Sequence, residues 1–398
     1  MTVCLNRSSE IPRPVDHHGE IRRVKILFVS AEPIRLKQAS GTHIGEIVHG
    51  LRGAGHEVMT CATRVMGPYD RTSAVRRGVG YIVYWSQVLW RLWRSEIIYA
   101  RAHPANFPVA LAAWLTGTPI IHEINGPYHD VAITHRWISP FMRVVAALYR
   151  FQYRKANALV TVTTGLADWL RREIPAASIF VVANAANSDA FNPAQEPLKP
   201  TERRYALFFG SLTRWHGVEV LLAAVEDKAW PDLDLVIIGD GQLRPMVCDA
   251  AKRNSKIHLV ASVPQEMLAR YITGATLGLV PLNSLGGRGG FGVSPLKLYE
   301  MLACALPVIV TEFPGQADLV RSLEAGLVVP PDDASALAKA VSALSANPPA
   351  RDTMIRAALI IKTEHSWTNR VGEIEKILTC ASNRTGVVDR GQGVSSIS

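Results

Sequence analysis

Two neighbouring stretches decide the fold: Leu277–Pro281 (LGLVP) and Leu285–Glu312 (LGGRGGFGVSPLKLYEMLACALPVIVTE). A short apolar run leads into a glycine-rich loop. An amphipathic pattern then starts near Ser294 and stops at Ala305–Leu306–Pro307, and a second β-like run, Pro307–Thr311, follows at once. The order reads as strand, loop, helix, strand, the unit that builds a parallel sheet. There the helix N-terminus faces the carboxyl end of the sheet, where backbone N–H groups and the helix dipole favour an anion. Lys297 and Glu300 stand three residues apart and so share a face near the helix start. A cation beside an acceptor for sugar hydroxyls points to a nucleotide or a nucleotide-sugar.

The same alternation runs outward in both directions. Val24–Ser30 reads as the first strand, followed by a helix through Ile44, Ile47 and Leu51 and a strand at Glu57–Ala62. Strands are expected near Ile97–Ala100, Pro119–Glu123, Ala158–Val162 and Ser178–Val182, with one long helix ending near Tyr153. Phe191–Arg204, with three prolines and clustered charge, reads as the join between two halves. Alternation then restarts at Ala206–Gly210 and ends in helices at 334–344 and 367–378. Such repetition predicts an α/β chain of two doubly wound parallel sheets. The expected division is a flexible leader at 1–22, domains at 23–195 and 205–365 around a linker at 196–204, a final helix at 366–380 packing back on the first domain, and a disordered tail at 381–398.

At 398 residues and 48% hydrophobic content, the chain can bury two cores. Its net charge of +9 is uneven. Residues 1–198 carry 22 Lys/Arg against 14 Asp/Glu, and the rest 21 against 20. The basic half suits an anionic partner: a membrane surface, a phosphorylated substrate or nucleic acid. Five scattered cysteines without metal spacing fit a reducing, cytoplasmic setting, and the N-terminus lacks the apolar core of a signal peptide. No apolar run reaches the ~18 residues of a membrane span. The nearest, Val79–Ala100, carries Trp85, Trp90 and Trp93 among Arg91, Arg94 and Glu96, the composition of an interfacial helix. A core helix with an exposed arginine edge is the competing interpretation. A second basic segment at 136–155 adds Arg143, Arg150, Arg154 and Lys155.

Two facing sheets leave a cleft at their carboxyl edges, the favoured place for a ligand. Four loops are expected to line it. Ser40–Gly41–Thr42 sets a glycine at a helix start, where backbone can meet a phosphate; a plain helix cap is the alternative. His122–Pro127 places Glu123 and Asn125 just past a strand, with a structural Asn-Gly-Pro turn as competitor. Gly210–Gly217 offers Arg214 and His216 at a helix start, against a solvated loop histidine. The glycine-rich stretch is the fourth. Asp232–Leu233–Asp234 has the spacing of a sugar-nucleotide metal site but precedes its strand, so it belongs at the wrong sheet end, and no metal site is expected. Gly287-x-Gly289-x-x-Gly292, with Glu312 beyond it, matches the dinucleotide fingerprint and leaves an NAD-dependent enzyme as a competitor. No motif supports a hydrolase or an ATPase, and no nucleic-acid partner is expected.

Taken in order, GTHIGEIVHGLRGAGHEV, Tyr99-x-Arg101, HEINGP, ANAANSDAFNP, YALFFGSLTRWHGVEVLLAAV, LVIIGDGQL and SPLKLYEMLACALPVIVTEFPGQADLV resemble the retaining glycosyltransferases of family 4, which have the GT-B fold. The resemblance implies metal-independent, cofactor-free transfer of a sugar, with retention, from a nucleoside-diphosphate donor to a glycan or lipid-linked acceptor in cell-surface polysaccharide or glycoconjugate synthesis. By that analogy Glu300 accepts from the donor ribose and Gly41 approaches the diphosphate. Asn125 takes the place where many members carry a histidine. The family's basic pair falls on Ser211 and His216, leaving Arg214 and Lys297 to supply the charge. The first glutamate of the family's acidic pair falls on Gly292, so backbone at Phe291, Gly292 and Val293 is expected to hold the sugar. Gly239, Gly241, Val263, Ser294 and Leu296 complete the donor side, and Glu123 and Tyr128 the acceptor side. The departures at Ser211, His216 and Gly292 also motivate the alternative of a catalytically silent GT-B binding or scaffold protein.

Overall fold

The computed structural model describes residues 23–32, 39–63, 74–134 and 136–383. The first half alternates β1 (Lys25–Ser30), α1 (Ala39–Gly53), β2 (Glu57–Ala62), α2 (Ala74–Leu92), β3 (Ile97–Arg101), α3 (Phe107–Thr116), β4 (Ile120–Ile124), α4 (Asp130–Thr134), α5 (Met142–Lys155), β5 (Ala158–Thr161), α6 (Thr164–Glu173) and β6 (Ile179–Val181). The strands form one parallel sheet in the order β2-β1-β3-β4-β5-β6. The second half runs β7 (Tyr205–Phe209), α7 (Val218–Glu226), β8 (Asp234–Ile238), α8 (Arg244–Arg253), β9 (Ile257–Val260), α9 (Gln265–Gly274), β10 (Leu277–Val280), α10 (Leu296–Ala303), β11 (Val308–Thr311), α11 (Gln316–Ser322), β12 (Gly326–Val329) and α12 (Ala334–Ala346). Its parallel sheet has the order β12-β11-β10-β7-β8-β9. Helices α13 (Arg351–Glu364) and α14 (Trp367–Asn383) close the chain.

The strands read as apolar runs because helices cover both faces of each sheet. Ile26, Phe28, Tyr99 and Ile121 pack beneath α1, while Leu27, Val29, Ile98 and Ala100 pack beneath α2 and α3. In the second sheet Leu207, Val236 and Val280 face one core, and Ala206, Leu235 and Leu279 the other. Strand order reverses between β1 and β3, and again between β7 and β10. Loops diverge at such points, which opens a crevice at each sheet's carboxyl edge.

Helix α14 leaves the second half and lies on α1 of the first, where Trp367, Val371, Ile374 and Leu378 join Ile44, Ile47 and Leu51 in one core. A Cβ on Gly50 would stand 2.4 Å from Val371, so the two helix backbones meet where only glycine fits. Arg370 donates to the carbonyls of Val182 and Ala183, and Glu375 accepts from His56 at 3.1 Å, pinning the return.

Several boundaries differ from the sequence expectation. The long helix ending near Tyr153 is α4, a 3-10 stretch at 136–141 and α5, because Pro140 cannot continue the backbone ladder. Elements α11, β12 and α13 had no expectation. Helix α14 continues to Asn383, into the segment expected to be disordered; the rest of that tail and the 1–22 leader lie outside the described residues. The glycine run Leu285–Phe291 forms 3-10 turns, and α10 begins only at Leu296, after Pro295.

Candidate active site

One cleft pocket takes lining from all four loops singled out above. Ser40 and His43 come from the start of α1, and Asn125, Gly126 and Pro127 from the loop after β4. Trp215 and His216 come from the loop after β7, and Gly292–Leu296 from the stretch before α10. Arg101, Asp130 and Asn184 also line it, and the sequence reading did not name them as site residues.

The second-half wall is built from backbone that tolerates few side chains. Gly239 (φ +154°) would press a Cβ to 2.0 Å from the Gly210 carbonyl, and Gly241 (φ +153°) to 2.6 Å from that of Leu212. Both therefore bring loop backbone together instead of lining the pocket. Lys297, on the first turn of α10, is 7% exposed. Among the described residues its Nζ has no hydrogen-bond partner; it lies 4.2 Å from the centre of the Phe208 ring and 3.1 Å from where a Cβ on Gly210 would be. Burial pushes this amine down to about 7, against the pull of Glu300. The Glu300 carboxyl is pushed up to about 7 by burial, with Lys297 opposing and Glu46 assisting. Lys297 is thus a desolvated amine whose contact is the Phe208 ring, and like Glu300 it stands outside the pocket lining.

Other donor-side residues are placed less directly. Arg214 is 68% exposed on its side chain and pairs with Glu219 at 3.4 Å, outside the pocket lining. Nδ1 of His216 lies 2.6 Å from the Ser211 carbonyl; a carbonyl only accepts, so Nδ1 carries the hydrogen and the imidazole is held in one orientation. Ser211 thus contributes backbone to this contact. Gly41 is buried in the first turn of α1, and Val263, outside the pocket lining, packs against the core that holds Leu207, Val236 and Val280. Phe291 reaches across to the first domain: its carbonyl accepts from the Thr163 hydroxyl at 2.8 Å, and its ring sits 5.8 Å from Trp169.

Glu123 and Tyr128, expected as acceptor contacts, lie inside instead. Alternation along β4 turns Glu123 toward α1 and α14, where its carboxylate is fully buried. It accepts from His43 at 2.6 Å, Tyr99 at 2.7 Å and Asn125 at 2.9 Å, with Arg370 at 3.8 Å. Burial opposes its ionisation, but His43, Arg370 and Arg101 outweigh it and hold the carboxyl well below the usual range. Burial pushes His43 down, against Glu123, and its Nε2–H donates to the carboxylate. Asn125 commits its amide nitrogen to Glu123. Tyr128 is buried beside Tyr149 and Trp169, with its hydroxyl joined to Arg150 and Glu173. The sign missed was the return of α14, which gives Glu123 a buried cation to answer.

Asp234 accepts from His258 at 2.8 Å and Thr201 at 2.7 Å at the amino end of β8, remote from the carboxyl edge, as its order before the strand implied. Glu312, the acidic residue of the dinucleotide pattern, is exposed and paired with Arg321.

Two such sheets joined across a cleft with this lining define a GT-B glycosyltransferase architecture. Residues 40–190 match the family described as Glycosyltransferase Family 4, and residues 191–359 that described as Glycosyl transferases group 1. The chain belongs to this group 1, family 4 class of glycosyltransferases and is an enzyme of that kind. It is 24% identical over 276 residues (64% of this chain, 68% of that protein) to the alpha-D-kanosaminyltransferase of Streptomyces kanamyceticus. It is 23% identical over 279 residues (69% and 71%) to the phosphatidyl-myo-inositol mannosyltransferase of Mycobacterium leprae. Among solved structures, sucrose-phosphate synthase from Thermosynechococcus elongatus aligns with a TM-score of 0.71 at 16% identity, over 90% of this chain and 98% of that one. Anabaena HepE in complex with UDP-glucose aligns at 0.68 and 14%, over 90% and 100%. The NAD reading falls with this membership, since the glycine run forms 3-10 turns instead of a strand-to-helix phosphate turn.

Proposed function

We propose that the enzyme transfers a sugar from a nucleoside-diphosphate donor to a glycan or lipid-linked acceptor in cell-surface polysaccharide or glycoconjugate synthesis, with retention and without a metal. The observation that carries this is Lys297, a buried amine without a hydrogen-bond partner at the carboxyl edge of the second sheet, one turn from Glu300. The solved Anabaena relative bound to UDP-glucose supports the donor class.

Chemistry follows from charge. As the bond from the anomeric carbon to the diphosphate oxygen breaks, negative charge grows on the leaving group. Lys297 and the N–H groups at the start of α10 stabilise it, typically the largest catalytic contribution. The acceptor hydroxyl forms its bond on the face the diphosphate leaves, and its proton passes to a leaving-group oxygen. The assay is incubation with UDP-, GDP- and ADP-sugars, followed by NMR of the product's anomeric configuration. No nucleotide binding, or an inverted product, would sink the proposal; a sugar covalently attached to Asp130, the cleft carboxylate, would replace direct attack with a two-step route. Arg214 faces Glu219 in this conformation, so Arg214→Ala is expected to lower turnover about tenfold with donor affinity nearly intact, if the side chain swings to the diphosphate. Unchanged turnover would remove it from the mechanism.

The acceptor is proposed to be met at an anionic membrane surface, the inner face of the cytoplasmic membrane. Helices α2, α3 and α5 pack side by side over one face of the first sheet. Among the described residues, twelve of the seventeen exposed large apolar side chains belong to these helices or their adjoining turns. Tyr84, Val88 and Leu92 turn inward on α2, leaving Val79, Ile82, Val83, Leu89 and Trp90 outside, with Trp93 81% exposed beyond them. Trp114, Trp137, Phe141 and Val144 extend the patch. Cations stand over its rings: Arg94 is 4.1 Å from Trp90, and Lys155 is 4.3 Å from Trp114. An apolar patch with aromatic and basic side chains, on the half that carries most of the charge, matches an anionic bilayer. No helix of the described residues is long and apolar enough to cross one. Sedimentation with phosphatidylglycerol vesicles should show salt-sensitive binding, weakened about tenfold in Trp90→Ser/Trp93→Ser. Absence of wild-type binding would refute this, as would a dimer that the double variant dissociates.

A further inference from the structure

We propose that Asn184 hydrogen-bonds a hydroxyl or amino group of the donor's sugar and thereby helps to choose that sugar; this rests on the nucleotide-sugar assignment above. Asn184 lies in the segment between β6 and β7, where the chain passes from one sheet to the other. Its backbone N–H donates to the Ser294 hydroxyl at 3.1 Å, and its Nδ2 donates to the Ser294 carbonyl at 2.5 Å. The Ser294 hydroxyl is 2.9 Å from that of Tyr299, which ties the contact to α10. A carbonyl oxygen only accepts, so the amide must present nitrogen to Ser294, and this fixes its orientation. Oδ1 is therefore turned away from Ser294. It is buried and has no hydrogen-bond partner among the described residues, and Asn184 lines the cleft beside Gly292, Val293 and Ser294.

A buried acceptor left unmet is unfavourable, so a ligand that supplies a hydrogen recovers that cost. The chemistry of that ligand group is narrow. An ionised diphosphate has only acceptors and cannot answer Oδ1; a hydroxyl or an amine can. Gly292, on the adjacent wall, has no side chain to supply the contact in its place. Gly292 has φ +89°, and a Cβ there would lie 3.0 Å from the Thr163 side chain and 3.1 Å from the Pro314 carbonyl. The side-chain hydrogen bond at this wall thus comes from the inter-sheet segment, through Asn184.

The experiment compares affinities of wild type and Asn184→Ala for a bare nucleoside diphosphate and for the matching nucleotide-sugar by isothermal titration. The nucleotide is whichever of the UDP, GDP and ADP series the wild type binds. The expected result is unchanged affinity for the diphosphate and about tenfold weaker affinity for the nucleotide-sugar. Donors lacking one hydroxyl at a time give the second measurement. Wild type should discriminate against one deoxy donor, and Asn184→Ala should not. Equal loss for diphosphate and nucleotide-sugar would overturn the proposal, because it marks a ribose contact or a displaced Ser294 loop. An unchanged pair of affinities would overturn it too. Failure of the wild type to bind any nucleotide would instead remove the donor assignment, and this inference with it.

Discussion

Lys297→Met should leave a more stable protein that has lost about 10²–10³-fold in turnover. The two effects separate because the same burial that prepares the amine for a diphosphate is unfavourable without one. Methionine fills similar space beside Phe208 and removes the cost of holding an unpaired amine away from water. The pH dependence gives a further check. The folded value of Lys297, about 7, lies below its ordinary 10.5, so between those limits the unfolded chain binds more protons and wild-type stability rises with pH. The penalty is full at and below about pH 7 and fades toward pH 10.5. The stabilisation by Lys297→Met, on the order of a few degrees in melting temperature, should therefore be largest near and below pH 7 and shrink as the pH rises. Glu300 acts in the opposite sense: with its value raised from 4.5 to about 7, its ionisation penalty is full above pH 7 and absent below 4.5. Thermal melts across this range together with single-turnover kinetics make the comparison. A Lys297→Met protein with wild-type turnover would remove Lys297 from the mechanism, and one with lowered melting temperature at pH 7 would show that the amine is paired.

Gly292→Glu is expected to lower kcat/KM about 100-fold, although the resemblance implies an acidic residue at that place. The reason lies in the backbone. At φ +89° and ψ 157°, a residue with a side chain is strained by about 1–3 kcal/mol. Its Cβ would also press on Thr163 and on the Pro314 carbonyl at 3.0–3.1 Å. Thr163 holds the Phe291 carbonyl, and Phe291 packs on Trp169, so the displaced element is the loop that brings the donor wall onto the first domain. A shift of about 1 Å in such a wall can cost about 10²-fold. Gly292→Ala should behave alike, since the conflict begins at Cβ and not at the carboxylate. Steady-state kinetics on both variants decide the matter; improved turnover with glutamate would show that the loop adapts and that the missing carboxylate was the real deficit.

Much of the fold was legible because parallel sheets covered on both faces require continuous apolar strands, and those runs stand out between glycine-rich turns. VKILFVS, YALFF and LDLVII needed only their composition. Elements went unread where local signals were weak: β12 is four residues, α11 only seven, and α13 has no side-chain cap. The four loops that line the cleft were visible because each places polar or glycine residues directly after such a run. The roles of their side chains were less visible. Glu123 follows an apolar strand like a cleft residue, yet period-two alternation and the return of α14 place it inside, beside Arg370. The apolar outer face of α2 likewise emerges only once Tyr84, Val88 and Leu92 are known to face inward.

The sequence by itself determined the two parallel sheets, the order of their elements and the placement of Lys297 and Glu300 on one helical face, because these depend on periodicities of two and 3.6 residues. Only the tertiary structure decided that the Lys297 amine has no hydrogen-bond partner among the described residues, that a Cβ on Gly292 would crowd Thr163 and Pro314, and that Oδ1 of Asn184 is buried without a partner in a residue lining the cleft. Each of these depends on groups far apart in the chain meeting at one place, and packing between the two sheets sets those distances.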